Sequence, residues 1–272
     1  MPDKLGWRAN WGVIAPSTNT SVQPEFDEMR PRGVTNHMSR IWVPDEPLTS
    51  DEDFNKLMDA IRLEWDNAIL RVMTCNPDYL VMGMSSETFW GGLKRANELK
   101  AHMTGMTGLR VAMGSDACQA AIRCYGDIKK IAVLTPYWPV ADENVTLFFN
   151  DCGFDVVALK GLCCPGPAAI AQTTEKEMMD GLRELNESDA EVLVQVGTNL
   201  GMARMAAEAE KWLNKPVIAI NTATYWFAMR DNGMDDTMEG FGSLMSEYRE
   251  LPKLYFDKVK EQAQNATATK GA

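Results

Sequence analysis

Histidine and paired cysteines are scarce in this sequence. Its 272 residues include two histidines, His37 and His102, and neither belongs to a motif with metal-ligand spacing. Six cysteines occur, but none forms a CxxC pair. These absences disfavour a histidine-rich zinc site and a Ser-His-Asp triad. A chain of this length without a secretory signal is also not expected to depend on a disulfide framework.

Long apolar runs and an excess of basic residues are missing as well. No apolar stretch reaches the length of about 18 residues that a membrane helix needs. The first ten residues carry Asp3, Lys4 and Arg8 and lack the apolar segment of a signal peptide. Asp and Glu outnumber Lys and Arg by 38 to 27, whereas nucleic-acid binding needs clustered basic residues. We therefore expect a cytoplasmic protein with neither a membrane nor a nucleic-acid partner.

Short apolar runs are present instead of long ones. Each is followed by small polar residues, which is typical of strands buried on both faces of a parallel sheet. Helical periodicity separates the runs, as in 51–73, 174–185 and 200–213. This alternation of strand and helix predicts βαβ units. The four clearest runs are 11–15, 79–82, 131–134 and 192–196.

The strand and helix pattern occurs twice along the chain. Strands centred near residues 13 and 81 form a first pair, and strands near 133 and 194 repeat it. We therefore predict an α/β protein of two similar halves, each with a mostly parallel four-stranded sheet flanked by helices. A last strand, 216–220, is expected to return the chain to the first half. The predicted first domain is 1–117 plus 218–262, the second is 118–217, and 263–272 is predicted to be a disordered tail.

Polar residues follow each predicted strand, where ligands bind in open parallel sheets. Each motif places backbone N–H groups and a hydroxyl or amide at the start of a predicted helix, and such helix starts attract carboxylates. Ser, Thr and Asn at these positions can also be ordinary helix caps. Their repetition in a duplicated pattern favours a site for a small carboxylate. The candidate binding residues are Ser17, Asn19, Gly83, Met84, Thr135, Gly197, Thr198 and Asn199.

Several motifs carry a family resemblance through their order and spacing. They are Pro16-Ser-Thr-Asn-Thr20 with Pro24-Glu25-Phe26, Thr135-Pro-Tyr137, Gly197-Thr-Asn199, and Asn221-Thr-Ala-Thr-Tyr-Trp226 with Arg230. Together they resemble the aspartate/glutamate racemase superfamily and its maleate cis-trans isomerase and arylmalonate decarboxylase branch, over about residues 8–248. The resemblance implies two pseudo-symmetric Rossmann-like domains with the site between them, and no metal or organic cofactor. It also implies that Asn19, Tyr137 and Asn199 contact substrate carboxylates.

The chain departs from this family at the two cysteines that its racemases and isomerases use, one on each half. The first would fall at Met84, or at Gly83 if the gap is placed one residue earlier, and the second at Gly197. Methionine has no acidic proton and glycine has no side chain. Two-thiol racemisation and thiolate addition to a double bond are therefore not expected. The second cysteine, which the decarboxylase branch keeps as its proton donor, is missing too.

Groups that replace the thiols are expected near the same strand ends. Ser85 and Ser86 adjoin the first thiol position, and Glu87 could act as their base or as a general acid. Glu87 fits equally well as a first-turn helix carboxylate. The Cys163–Cys164 pair fits either relocated thiols or buried structural ones. The predicted catalytic residues are Ser85, Ser86, Glu87 and Tyr137.

These observations predict a cofactor-independent enzyme with a small carboxylate or dicarbonyl substrate between its two halves. The expected reaction is a decarboxylation or a hydrolytic cleavage. One alternative is a maleate cis-trans isomerase or racemase with relocated cysteines. Another is a carboxylate-binding protein without catalysis. No metal site is expected, and a homo-oligomer is the usual assembly of such enzymes.

Overall fold

Two four-stranded parallel sheets flanked by helices form this protein, whose computed structural model describes residues 3–268. The first sheet contains β1 (Ala9–Pro16), β2 (Val34–Ile41), β3 (Tyr79–Met82) and β4 (Val111–Ala112), in the order β2-β1-β3-β4. The second contains β5 (Lys130–Thr135), β6 (Asp155–Gly161), β7 (Val192–Gln195) and β8 (Val217–Ala219), in the order β6-β5-β7-β8. The shared strand order confirms the predicted α/β fold of two similar halves.

Helices connect the strands and cover both sheets. The first half carries α1 (Val22–Glu28), α2 (Asp51–Met73), α3 (Ser86–Phe89), α4 (Gly92–Thr107) and α5 (Gly114–Cys124). After β5 come α6 (Pro139–Asp151), a 3-10 turn (Ala169–Gln172), α7 (Glu175–Asn186), α8 (Ala203–Leu213), α9 (Ile220–Asp231), α10 (Ser243–Glu247) and α11 (Lys253–Ala268). None of the helices within residues 3–268 has the length and apolar character needed to cross a membrane.

Local sequence explains where the main elements start. All four residues of β3 and all four of β7 are buried, as expected for central strands covered by helices on both faces. The α2 helix begins after Ser50, whose side chain accepts a hydrogen bond from the Asp53 N–H. The α7 helix begins with a reciprocal capping box between Thr174 and Glu177. These signals place both helices where the sequence predicted them.

The chain crosses between the two halves through α5 and α9. The β8 strand pairs with β7 and so belongs to the second sheet, while α9, buried from Ile220 to Arg230, packs against α5. The boundary at 117/118 therefore falls inside α5, and that at 217/218 falls inside β8. A strand at 216–220 does not return the chain to the first half; α9 does.

The end of the chain also differs from the prediction. The α11 helix includes residues 263–268, which were expected to begin a disordered tail. Residues 269–272 of that predicted tail lie outside the described residues.

Candidate active site

A pocket lies where the carboxyl ends of the central strands of the two sheets face each other. Because each sheet is parallel, the segments that follow β1, β3, β5 and β7 all meet at this cleft. Eight of the residues predicted from sequence line the pocket: Asn19, Met84, Ser85, Ser86, Tyr137, Gly197, Thr198 and Asn199.

A cluster of three hydrogen-bonding groups joins the two halves at this pocket. The Ser85 hydroxyl lies 2.6 Å from the Tyr137 hydroxyl, and either oxygen can be the donor. The Thr198 backbone N–H donates to Ser85 Oγ at 3.1 Å. Burial raises the pKa of Tyr137 above its usual range, so the phenol keeps its proton at neutral pH. We call Ser85, Tyr137 and the Thr198 N–H the donor cluster.

Hydrogen bonds that involve Thr135 and Asp142 hold the loop that carries Tyr137 in place. The Tyr137 N–H donates to Thr135 Oγ1 at 3.1 Å, and the Thr135 hydroxyl donates to the Asp142 carboxylate. Burial raises the pKa of Asp142 to about 6. The backbone N–H of Cys163 also donates to the Tyr137 carbonyl. Thr135 therefore supports the pocket without lining it.

Two side-chain amides tie the lining segments together. Asn19 accepts the N–H groups of Ser21 and Val22 at the start of α1 and donates to Thr198 Oγ1 at 3.1 Å. Asn199 accepts the Thr20 N–H and donates to the Pro167 carbonyl, both at 2.9 Å. Both amides lie at the pocket, and both are engaged in cross-links between the halves. Contact of either with a substrate carboxylate stays a prediction.

Three further predicted residues lie outside the lining. Ser17 exchanges hydrogen bonds with the Val43 backbone and so fixes the segment after β1. Gly83 packs so closely that a Cβ there would lie 2.7 Å from Val22 Cγ1. Glu87 binds the Arg62 guanidinium at 2.9 Å through a carboxylate that is 6% exposed. Both Glu87 carboxylate oxygens accept hydrogen bonds from Arg62, and among residues 3–268 the carboxylate makes none to Ser85 or Ser86.

Apolar side chains from α2 and two loops complete the lining, and the sequence did not identify them as pocket residues. Phe54, Leu57 and Ile61 lie at helical spacing on one face of α2. Their periodicity was visible, but which of them face the pocket depends on how α2 packs against the sheet. Trp90 stacks on Phe54 behind the lining. The other apolar members of the lining are Pro16, Val43, Pro167 and Ile170.

None of the six cysteines, all within the described residues, lines the pocket. Cys163 is exposed, and Cys164 is buried with its sulfur 3.5 Å from Thr173 Oγ1, in a separate groove. Burial raises the pKa of both thiols. Within residues 3–268, no group of three or more His, Cys, Asp or Glu is placed to hold a metal ion.

The lining contains no charged side chain, so its polar character comes from hydroxyls, amides and the backbone. The backbone N–H groups of Thr18, Ser86 and Asn199 make no hydrogen bond within the described part of the chain. These lining residues therefore bring unpaired neutral N–H groups to the same part of the molecule as the donor cluster and the apolar wall. Such a set suits an anion that is held by dipoles rather than by Lys or Arg.

Comparison with known proteins identifies the family of this chain and agrees with its fold. The sequence model for arylmalonate decarboxylase matches residues 50–245. The curated maleate isomerase of Pseudomonas putida is 22% identical over 254 residues, which cover 86% of this chain and 96% of that protein. A Nocardia farcinica maleate cis-trans isomerase variant with a covalently bound succinylcysteine intermediate superposes with a TM-score of 0.79 at 18% identity, over 88% of this chain and 98% of that one. An arylmalonate decarboxylase superposes at 0.70 with 20% identity, over 88% and 100% of the two chains. The family match spans most of the sequence, and the chain therefore belongs to the arylmalonate decarboxylase family.

Proposed function

We propose that this protein is a cofactor-independent decarboxylase of a small acid with two carboxyl or carbonyl groups on one carbon. The donor cluster carries the proposal. Ser85 Oγ lies 2.6 Å from the Tyr137 hydroxyl and 3.1 Å from the Thr198 nitrogen, at a pocket that has an apolar wall and no charged side chain. An anion that enters the cluster replaces hydrogen bonds that the three groups now make to each other.

The donor cluster would hold the carboxylate that stays on the substrate. As the bond to the leaving carboxylate breaks, its electron pair moves onto the α-carbon and the retained carboxylate, while carbon dioxide departs. Charge therefore grows on the oxygens that face Ser85, Tyr137 and the Thr198 N–H, and fixed donors stabilise growing charge. Beside Phe54, Leu57 and other apolar residues, the departing carboxylate loses hydration, which favours its loss as a neutral molecule.

Protonation of the resulting enediolate is assigned to Ser86. This hydroxyl lines the pocket, is partly exposed, and donates to Met84 Sδ at 3.4 Å, a weak acceptor. No strong acceptor therefore holds the Ser86 proton, and solvent can replace this proton after its transfer to the substrate. The new C–H bond at the α-carbon takes this proton, and the product is a monocarboxylate.

Decarboxylation is favoured over hydrolysis because the serines have no base. Tyr137 keeps its proton through a raised pKa, Glu87 is bound by Arg62, and no histidine belongs to the lining. A serine without a base is a poor nucleophile. Isomerisation by thiolate addition is disfavoured because no cysteine lines the pocket. Maleate isomerisation, the activity for which several relatives are named, is therefore not proposed for this chain.

The test follows substrate loss in deuterated water by proton NMR. The panel contains aryl- and alkylmalonates, maleate, aspartate, hydantoins and cyclic imides. Loss of a malonate with one deuterium at the α-carbon is the expected result. Tyr137→Phe should lower kcat/KM by about 10²–10³-fold, because it removes one donor to the developing charge.

Tyr125→Phe is the matched control. Tyr125 also donates to or accepts from a serine hydroxyl, Ser243 Oγ at 2.8 Å, but lies outside the pocket. Its substitution should leave kcat/KM unchanged. Maleate turning into fumarate, opening of a cyclic imide, or ligand binding without any turnover would each contradict the proposal. Equal losses in the two variants would remove the assigned role of Tyr137.

A further inference from the structure

A buried amide lies directly behind the pocket segment that follows β7. Asn221, at the start of α9, is 1% exposed. Its Nδ2 donates to the Thr198 backbone carbonyl at 2.9 Å and to the Glu25 carboxylate at 2.6 Å. Because both partners accept hydrogen bonds, the amide can take only one orientation.

This contact sets the direction of the Thr198–Asn199 peptide. In a trans peptide, the carbonyl and the following N–H point in opposite directions. Asn221 draws the Thr198 carbonyl toward α9, so the Asn199 N–H points away from α9. Asn199 lines the pocket, and its N–H has no hydrogen-bond partner within residues 3–268.

Glu25 fixes the amide from the first half of the molecule. One carboxylate oxygen accepts from Asn221, and the other accepts the Ala203 N–H at 2.9 Å. Asn221 Oδ1 is buried without a hydrogen-bond partner in the described part of the chain, an arrangement that destabilises a protein.

We infer that Asn221, held by Glu25, is a positioning residue that turns the Asn199 N–H into the pocket as a further donor to the substrate carboxylate. This assignment rests on the proposed function, because it requires a carboxylate in the pocket. The Asn199 N–H and the donor cluster then bind the same anion from adjacent segments. Asn221 itself does not touch the substrate.

The experiment measures binding of phenylacetate, a monocarboxylate of the expected product class, to ¹⁵N-labelled protein by NMR. In the wild-type protein, the Asn199 amide proton should move downfield on titration. Asn221→Leu keeps about the size of the side chain but removes both donors, so the Asn199 response should disappear. The dissociation constant should rise about tenfold, as expected for loss of one hydrogen bond to a charged group.

Asn232→Leu is the matched control at the residue that directly follows the same helix. Asn232 donates to the Ala228 carbonyl at the far end of α9, away from the pocket, so phenylacetate binding should not change. Glu25→Gln is a second variant that disturbs the position of Asn221. It replaces one of the two accepting carboxylate oxygens with an amide group that only donates. It should weaken binding in the same direction by a smaller factor, and it tests the inference if Asn221→Leu does not fold.

The outcomes separate this inference from the proposed function. Wild-type affinity and an unchanged Asn199 shift in a folded Asn221 or Glu25 variant overturn the positioning role, while turnover by the wild-type protein upholds the decarboxylase. A wild-type protein that neither binds phenylacetate nor consumes a malonate overturns both. A downfield shift that is lost only in the Asn221 and Glu25 variants upholds the inference.

Discussion

Gly197 offers a direct test of why the pocket has no side chain at its second thiol position. Its φ of +114° lies in a region that side chains rarely adopt. A Cβ at this position would lie 2.4 Å from Pro136 Cδ and 2.5 Å from Pro136 Cγ. Pro136 is a rigid ring between Thr135 and Tyr137, so it cannot rotate away as a flexible side chain would. Gly197→Ala should therefore destabilise the protein through both backbone strain and steric overlap.

The two contributions can be estimated separately. A non-glycine residue in a sparsely populated backbone region costs about 1–3 kcal/mol. Forcing an extra carbon into a packed site costs another 1–3 kcal/mol or so. The free energy of unfolding should thus fall by about 2–6 kcal/mol for Gly197→Ala, measured by urea denaturation. Gly197→Cys carries the same Cβ and should lose at least as much.

Two other glycines provide matched controls. Gly126 has a φ of +109° but nothing within 4 Å of its Cβ position, so Gly126→Ala should show the strain alone. Gly105 lies inside α4 in open space, and Gly105→Ala should stabilise the helix by about 0.5–1 kcal/mol. If Gly197→Ala proves no more harmful than Gly126→Ala, the overlap with Pro136 is not what excludes a side chain.

Two further predictions concern charged groups near the pocket. Arg62→Met leaves the 6%-exposed Glu87 carboxylate without its cation, so the free energy of unfolding measured with urea should fall by about 1.5–3 kcal/mol. Arg95→Met breaks an exposed ion pair with Glu98 and should lower it by less than about 1 kcal/mol. Equal losses in the two variants would contradict a stabilising role for the buried Glu87 pair. Burial raises the pKa of Asp142 from its usual 3.8 to about 6, so the folded protein holds this proton more tightly than the unfolded chain. The protonated Asp142 carboxyl therefore makes its full contribution to the free energy of unfolding below about pH 4, and this contribution is lost as the pH rises through about 6. Wild type should therefore lose about 2–3 kcal/mol relative to Asp142→Asn across that window, and parallel pH profiles of the two proteins would rule the shift out.

The donor cluster was accessible from sequence because parallel sheets bring their strand ends together. Ser85, Tyr137 and Thr198 are up to 113 residues apart in the chain, yet each directly follows an apolar run that had to be a strand. Two such sheets in one small protein place these ends at a common cleft. Pattern and topology were therefore sufficient to place all three residues at strand ends, whereas the choice of Tyr137 as a substrate-contacting residue came from the family resemblance.

Glu87 shows where such reasoning stops. Its position in the first turn of α3 is visible in the sequence, but its partner, Arg62, lies on α2 and 25 residues away. Nothing local indicates that the carboxylate faces that helix rather than Ser85. The same limit applies to Phe54 and Ile61, whose exposure to the pocket depends on the rotation of α2. Packing between elements, rather than the pattern within them, decides these contacts.

The close packing at Gly83 and Gly197 connects the missing thiols to the proposed chemistry. At Gly83 a Cβ would lie 2.7 Å from Val22 Cγ1, and at Gly197 it would overlap Pro136. The space that a thiol would need at Gly83 or Gly197 is therefore taken by neighbouring side chains, and Met84, the other candidate for the first position, lines the pocket with a thioether that has no acidic proton. The polar groups that do reach the pocket are hydroxyls, amides and backbone N–H groups. These groups stabilise an anion that forms when a bond breaks, but they do not begin a reaction by nucleophilic attack. A reaction that starts with loss of carbon dioxide is the kind of chemistry that this set of groups can assist.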